Sequence, residues 1–514
     1  MPILSDVTPP IPLTPPVPFT AAPAPIDMVS RQSASPRART ASASLPIPRY
    51  AETFRCIGSA CEDSCCKAWD LRLDHATYER YQLIPVESLL GRIVQSSVVP
   101  LPEPRSEHWY ARIQLNASLE CPFLTEEKWC GIQQTLGEEA LSHTCKTYPR
   151  IEQRTATGKR ETTLHLSCPE ASRLVLLEEH PGSGITGAAS AGSQSMQATY
   201  EPVHEANYEA NYEAIAEAMH AAMHPGLGAA SRRTGRAVAY LGEIRRFLLV
   251  LLRDRRYSLG ERLFLVGTFA GRLRLLLDSS AASEVVGELA HLLRDYCLLA
   301  RQGTLRPALG QVTSQPALQI GLTLGLINQR LDRAMNSLRF LDVVKEFLEG
   351  IGYQPGMTPE MLAPAFQRAE REFYTPLIEG HPWILENYLT HAVYRSMFPF
   401  GAGGAGTGGA GTGGTGARNK TPGNPEQEFR TLATHFVAIR TLLVGMAGFH
   451  GAAFATDHVV RLVQSYSRMV DHHAEFLSAA GGLLESRNLV DAGSLAGLLL
   501  EGAGRPPLAS GAMA

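Results

Sequence analysis

The 514-residue chain lacks a basic excess: 47 Lys and Arg stand against 50 Asp and Glu, for a formal charge of -3. A nucleic-acid footprint would show as a strongly basic face, and none is written here. It also lacks a long apolar run. The best is Phe247-Leu248-Leu249-Val250-Leu251-Leu252, preceded by Arg245 and Arg246 and followed by Arg253, Arg255 and Arg256. A membrane span needs about 20 apolar residues, so this stretch reads as a buried helix segment and no membrane partner is expected. No secretory leader is visible. The first fifty residues hold 12 prolines and no apolar stretch after a basic start. The expected compartment is the cytoplasm, where reducing conditions disfavour disulfides and clustered cysteines point to metal or redox chemistry. Strand-like alternation is scarce too, which excludes a predominantly β architecture.

Cofactor loops are missing as well. Gly401-Ala402-Gly403-Gly404-Ala405-Gly406 formally fits the dinucleotide fingerprint, but that motif needs a strand before it and a helix after it. Here it opens a tract of 10 glycines in 17 positions, residues 401–417, which as a random coil spans roughly 23 Å. A Rossmann fold is therefore not expected.

What is present is cysteine, concentrated. Eight of the nine, Cys56, Cys61, Cys65, Cys66, Cys121, Cys130, Cys145 and Cys168, lie within one third of the chain, and only Cys297 stands apart, in a helical run that reads as core. Four thiolates satisfy either tetrahedral zinc or a [4Fe–4S] cluster, so a subset of four is expected to ligate one centre. Spacing leaves the two metals open. Only part of Cys56-x4-Cys61-x3-Cys65-Cys66 resembles paired zinc ligands, and the two-residue gaps of bacterial ferredoxins are absent. The C-x3-C-x2-C arrangement of radical enzymes fails at Ala68. Adjacent Cys65 and Cys66 project differently and need not bind the same metal atom. His450, His458, His472 and His473 form a second, weaker cluster, read as helix-face residues.

The organisation follows. Residues 1–48 form a disordered Pro-rich extension. Residues 49–180 form a cysteine-rich metal or iron–sulfur domain, and 181–198 a Gly/Ser/Ala-rich loop. Residues 200–400 are helical, beginning with a local duplication at 205–212. Residues 401–425 are a Gly-rich linker, and 426–500 C-terminal helices. Leu331, Met335, Leu338, Leu341, Val344 and Leu348 step by three or four as one helix face, as do Val459, Leu462, Val463, Tyr466, Met469 and Val470. Gly350 and Gly352 supply a stop to the first, and Thr358-Pro359 starts the next helix. The fold class is mainly α: a cysteine-rich, metal- or cluster-binding N-terminal unit packed with a helical C-terminal region.

Three blocks carry a family resemblance. The first runs from Phe54-Arg55-Cys56 through Cys61-Glu62-Asp63-Ser64-Cys65-Cys66-Lys67-Ala68-Trp69. The second holds Cys121-Pro122-Phe123-Leu124, Cys130-Gly131-Ile132-Gln133, Leu136-Gly137-Glu138, Leu141 through Tyr148-Pro149-Arg150, and Leu166-Ser167-Cys168-Pro169-Glu170. The third holds Trp383-Ile384-Leu385-Glu386-Asn387-Tyr388-Leu389, Phe398-Pro399-Phe400 and Leu443-Val444-Gly445-Met446-Ala447-Gly448. Together they resemble the FliB-like flagellin lysine-N-methylases, within the wider group of zinc- or iron-chelating cysteine-rich proteins. The resemblance covers roughly residues 49 to 490. The Pro-rich head and the Gly-rich tract look unlike the family.

The resemblance implies methyl transfer from S-adenosylmethionine to lysine side chains of flagellin, by a protein carrying an iron–sulfur cluster or zinc. A lysine must lose its proton to act as nucleophile, from a reference pKa of about 10.4. The site must therefore desolvate the ammonium or offer a base. Glu386, Tyr388 and Tyr394, on one helical segment, are the catalytic candidates. The alternative is a non-catalytic metal-binding module in a protein-interaction role. A redox sensor built on exposed, acidic thiols is a third reading.

Overall fold

A computed structural model of the chain describes residues 50–67, 71–102, 109–155, 160–179, 212, 237–279, 285–331, 337–401, 423–470 and 481–501. The Pro-rich head, the loop at 181–198, the duplication before Tyr212, the interior of the Gly-rich tract, Trp69, Met335, His472 and His473 lie outside them. Within the described residues the protein is mainly helical, with two small antiparallel sheets and no parallel, Rossmann-like one.

The N-terminal part opens with a short helix, α1 (Tyr50–Thr53), and the cysteine loop. It then builds a small three-stranded sheet from β1 (Leu71–Leu73), β2 (Val98–Pro100) and β3 (Ala111–Ile113), in the order β1-β3-β2. Leu71 and Val98 both pair with Ile113, and Leu73 and Pro100 with Ala111; Leu71, Leu73, Val98, Ala111 and Ile113 turn inward, while Pro100 at the end of β2 is exposed. Two helices precede β2. In α2 (His75–Gln82) the Asp74 carboxylate accepts from the Thr77 amide at 2.8 Å, and in α3 (Leu89–Ser97) the Ser88 hydroxyl accepts from Gly91 at 3.0 Å. Each cap satisfies an amide that the first turn leaves without a partner. Two more helices, α4 (Gly131–Leu136) and α5 (His143–Thr147), complete a unit with its own apolar core: Leu71, Leu73, Tyr81, Leu90, Val94, Val98, Ala111, Ile113, Phe123 and Ile132.

The packing divides the cysteine-rich span. The hairpin β4 (Arg150–Arg154) and β5 (Arg160–Leu164), and α6 (Pro169–Leu176) behind it, bury Leu164, Leu166, Ala171, Val175 and Leu176 in the large helical core instead. That core is built from α7 (Leu241–Arg253), α8 (Leu259–Ser279), α9 (Val285–Gln302), α10 (Arg306–Leu309), α11 (Pro316–Leu331), α12 (Leu338–Gly350) and α13 (Pro359–Ala369). A π-turn (Glu370–Tyr374), α14 (Thr375–Gly380), α15 (Trp383–Arg395), α16 (Pro425–His450), α17 (Thr456–Val470) and α18 (Ala492–Leu499) complete it.

The apolar run at 247–252 is a buried part of α7, and Cys297 is buried in α9. Val459, Leu462, Val463, Tyr466, Met469 and Val470 are all buried on one face of α17. The other stripe is displaced. Ser337 starts α12, residues 332–336 lie outside the described set, and Leu338 is 79% exposed. The inward face is Phe340, Val343, Val344 and Phe347, because the two phenylalanines seven residues apart fill the space against α16. The sequence reading found no membrane-length helix, whereas α16 with the turn after it is long and apolar enough to cross a membrane. Its apolar window is 83% buried inside the helical body, as the axis about which other helices pack.

Where α12 meets α16 the backbones touch. A Cβ on Gly350 would lie 1.8 Å from the Gly445 carbonyl oxygen, and one on Gly445 2.3 Å from the Phe347 ring and 2.8 Å from the Phe347 carbonyl. At the other end of α16, the Glu428 carboxyl faces Gly401 and Gly423, which bracket the glycine tract. Burial pushes Glu428 up to about 7. The folded chain thus binds a proton more tightly than the unfolded chain does, so stability should fall as pH rises from the ordinary carboxyl range to about 7. Glu428→Gln is expected to match the parent near pH ~4 and to exceed it by roughly 1–3 kcal/mol at pH ~8, discounted for partial exposure. Urea midpoints at the two pH values check this. Equal midpoints at high pH would refute it.

Candidate functional site

None of the nine cysteines is disulfide-bonded. Cys56 and Cys61 flank a tight 3-10 turn, Gly58–Ala60. Gly58 has φ +56°, and a Cβ there would sit 2.3 Å from the Trp129 ring, so only glycine allows Trp129 to lie on the turn. The loop is then clamped to the helical body. Gln464 on α17 donates to Asp63 at 2.7 Å and to the Ser167 carbonyl at 2.9 Å. Arg468 pairs with Asp63 at 3.0 Å and donates to the carbonyls of Ser64 and Lys67. Glu62 pairs with Arg173 on α6 and, at 3.6 Å, with Arg339 on α12.

The thiols perturb one another. Cys65 donates to Cys66, and that bond, helped by Ser64 and the Arg468 charge, holds Cys66 down at about 7 against the cost of burial. Burial first, then neighbouring thiols, raises Cys121, Cys145 and Cys168. Cys121 feels Cys66, Cys145 and Cys130. Cys145 is pushed to about 12 with Cys66 and Cys130 beside it. Cys168 is pushed to about 12 with Cys61 and Cys56 beside it. Cys297 reaches about 12 through burial alone. Thiolates crowded in an apolar setting are unfavourable without a cation, and deprotonated thiolates are what a metal binds.

Among the described residues, no three His, Cys, Asp or Glu side chains converge to hold a single ion. The thiols are nonetheless gathered. In a cluster each thiolate can bind a different iron, so its ligands stand farther apart than around one zinc. The donor set, soft and all-sulfur, fits an iron–sulfur centre.

Against this loop lies a cavity of about 300 Å3, lined by Glu62, Arg173, Arg339, Asp457, His458, Val460 and Arg461. The cysteine loop and α6 form one wall and α12 and α17 the other. Burial raises Glu62, but the hydrogen bond and charge of Arg173, with the charge of Arg339, leave it below the usual carboxylate range. Burial, then the charges of His450 and Arg461, lowers His458, so its ring is neutral at physiological pH. Behind it the His450 ring lies 3.9 Å away, tilted by 33°, and Glu346 accepts from His450 at 3.0 Å and pairs with Arg461. The arginines of this wall can receive a carboxylate, but Arg173 also pairs with Glu170 and Arg461 with Glu346, so the charges around the cavity are nearly balanced, and the His458 Nδ1 accepts from the Ala455 amide at 3.0 Å, which in the neutral ring puts the proton on Nε2.

The catalytic candidates from the sequence lie on α15, buried, and none lines this cavity. Glu386 accepts from Arg255 at 2.8 and 3.0 Å and from Arg262 at 2.7 Å. Tyr394 packs its ring against the Arg245 guanidinium at 4.9 Å, and Tyr388 is 7% exposed. His450 and His458, read from sequence as helix-face residues, do have an acidic neighbour, Glu346, which is distant in sequence. Arg173, Arg339, Asp457 and Arg461 carried no local signal.

A family model described as FliB lysine N-methylase C-terminal domain matches residues 245–498. The flagellar biosynthetic protein FliU of Salmonella muenchen is 38% identical over 130 residues, covering 25% of this chain and 75% of that protein. Lysine-N-methylases of Salmonella typhimurium and Salmonella choleraesuis are each 38% identical over 130 residues, again 25% of this chain but 31% of those proteins. This chain thus spans less than a third of each lysine-N-methylase it matches. No solved structure matches.

Proposed function

The chain belongs to the FliB lysine N-methylase family, a family of protein-lysine methyltransferases, and from that premise we propose that it methylates lysine side chains of flagellin with S-adenosylmethionine as donor. One observation carries the choice of site. Arg339, Asp457, His458, Val460 and Arg461 of the charged cavity fall inside the matched family domain, 245–498, and Glu62 and Arg173 close it from the cysteine-rich side.

In this reading Arg339 and Arg461 take the donor's carboxylate, and the half-buried wall strips water from the incoming ammonium. The ammonium loses its proton to solvent water at the mouth of the cavity. The nitrogen lone pair then forms a bond to the methyl carbon as the carbon–sulfur bond breaks, and its electrons return to sulfur to leave S-adenosylhomocysteine. Holding nitrogen, carbon and sulfur in line can supply several kcal/mol of the barrier. The cysteines hold an iron–sulfur cluster, with zinc as the alternative occupant. When bound, it ties the loop that forms one wall of the site. The reaction takes place in the cytoplasm, which agrees with nine cysteines that form no disulfide.

The test is mass spectrometry of flagellin incubated with the metal-replete protein and S-adenosylmethionine. Methyl groups should appear on lysine, faster as pH rises and the amine loses its proton. Arg339→Ala should weaken donor binding. No methyl gain by intact protein would overturn the reading and favour a non-catalytic module.

A further inference from the structure

We infer that the small sheet unit carries the docking face for the protein substrate. Its exposed apolar surface around α4 holds the chain on either side of the target lysine, while the lysine side chain enters the charged cavity. The inference rests on the methylase reading above and adds to it the surface that selects the substrate.

The cavity is too small to recognise a protein. About 300 Å3 is the lower end of pockets that hold one small molecule. A donor and one lysine side chain leave no room there for the backbone that carries the lysine, which must lie on the surface outside. Of the twelve exposed large apolar side chains among the described residues, six belong to the small sheet unit: Leu83, Val86, Leu89, Leu119, Trp129 and Leu136. That concentration sets the unit apart from the rest of the surface, where exposed apolar residues are scattered and need no partner. Packing gathers most of the six around α4. A Cβ on Gly131, the first residue of α4, would lie 3.6 Å from the side chain of Leu90, next to Leu89. Arg80, in the last turn of α2, donates to the Glu139 carbonyl at 3.1 Å, so the turn that carries Leu83 and Val86 lies by the segment that follows Leu136.

Trp129 joins this face to the cavity. Its ring lies on Gly58, and the turn that starts there closes where the Cys61 amide donates to the Gly58 carbonyl at 3.0 Å. The next residue, Glu62, is part of the cavity wall. Gly58 and Glu62 are thus at most about 14 Å apart, and a short extended segment laid over Trp129 brings a lysine to the cavity.

Charge identifies the occupant. Residues 119–139 hold five glutamates and one lysine. Glu120 and Glu139 are paired with Lys67 and Lys146, whereas Glu126, Glu127 and Glu138 are exposed and form no ion pair among the described residues. Acids bordering an apolar face attract a cationic segment, which a lysine-bearing substrate is, and repel an acidic one. An anionic membrane surface is disfavoured for the same reason. A second copy of this chain, meeting the first through the same patch, would set these acids against themselves.

The experiment uses the full chain with flagellin monomer, and with a capped Gly-Lys-Gly tripeptide that is too short to span the face. The double variants Leu83→Ser/Leu136→Ser and Glu126→Lys/Glu127→Lys should each raise KM for flagellin by about 10-fold or more, with kcat unchanged and the rate on the tripeptide equal to that of the parent. Added salt should raise the parent's KM for flagellin and leave that for the tripeptide alone. Thermal midpoints establish that the variants fold, and Trp129→Ala repeats the test should the leucine pair fail to. Parent-like KM in both double variants overturns the docking face. So does a parent dimer in sedimentation that Leu83→Ser/Leu136→Ser separates, which makes the face a contact between copies. Equilibrium binding of flagellin without donor distinguishes this inference from the reading it rests on. Binding that the double variants weaken supports the face whether or not a methyl group is transferred. Binding that is absent in the parent, or undiminished in both double variants while methylation proceeds, overturns it.

Discussion

Gly445→Val should be among the most damaging single substitutions in the helical body, costing on the order of 3 kcal/mol or more. A Cβ at 445 falls 2.8 Å from the Phe347 carbonyl and 3.0 Å from the Phe347 Cα, which are backbone atoms, as well as against the Phe347 ring. A ring can swing, but the carbonyl moves only if α12 moves, and α12 is held on its far side by contacts with α13 and α17. The same crossing presses Gly350 on the Gly445 carbonyl and Gly448 on the Gly350 carbonyl. Gly445→Ala should already lower the thermal midpoint, and the valine variant should lower it further or yield no soluble folded protein. Parent-like melting of the valine variant would show that the helices can separate without loss. Arg339 is on α12 and His458 on α17, so partial displacement should also weaken donor binding before the helical signal is lost.

Glu386→Ala should cost about 3–5 kcal/mol, because it leaves a buried guanidinium without its counter-charge. Arg262 is only 6% exposed and spends its other donors on the carbonyls of Leu252 and Tyr257. Arg255 clasps the same carboxylate from a more exposed position. The pair of arginines therefore ties the end of α7 and the start of α8 to α15. Glu386→Gln keeps the shape and one acceptor oxygen, and should cost less. The two variants separate anchoring from proton transfer. If Glu386 anchors, methylation by the glutamine variant tracks its folded fraction. If it is the proton acceptor, the glutamine variant is folded, binds donor and turns over more than ~100-fold slower.

What could be read along the chain was whatever repeats locally. The stripe of α17 and the α7 run were legible because burial on one helix face imposes a period of 3.6. The concentration of thiols was legible because soft donors are seldom gathered without purpose. The three-stranded sheet was not: its strands are three residues each, as in Leu71-Arg72-Leu73, too short for alternation to rise above chance. The displaced face of α12 failed for another reason. Leucines at 338, 341 and 348 mimic a stripe, while the choice between them and Phe340 and Phe347 is made by glycines a hundred residues later. The cavity walls were hidden for the same cause, since Arg173, Arg339 and Arg461 sit on three helices and share no spacing. α16 was passed over because its apolar residues are interrupted along the chain, although a core helix wrapped on all sides is as apolar as a membrane span.

The small sheet unit has a core of its own, and it reaches the helical body mainly through the loop that Gln464 and Arg468 grip. Amide protons of β1, β2 and β3 should accordingly exchange through an opening that leaves α16 protected, as a separate cooperative unit of lower stability. Removal of metal would then register as melting of that unit alone: a first, shallow transition ahead of the main one, with most of the helical ellipticity still in place. A protease present during that interval would find residues 71–147 accessible and release a helical remnant that is folded but lacks one wall of its charged cavity.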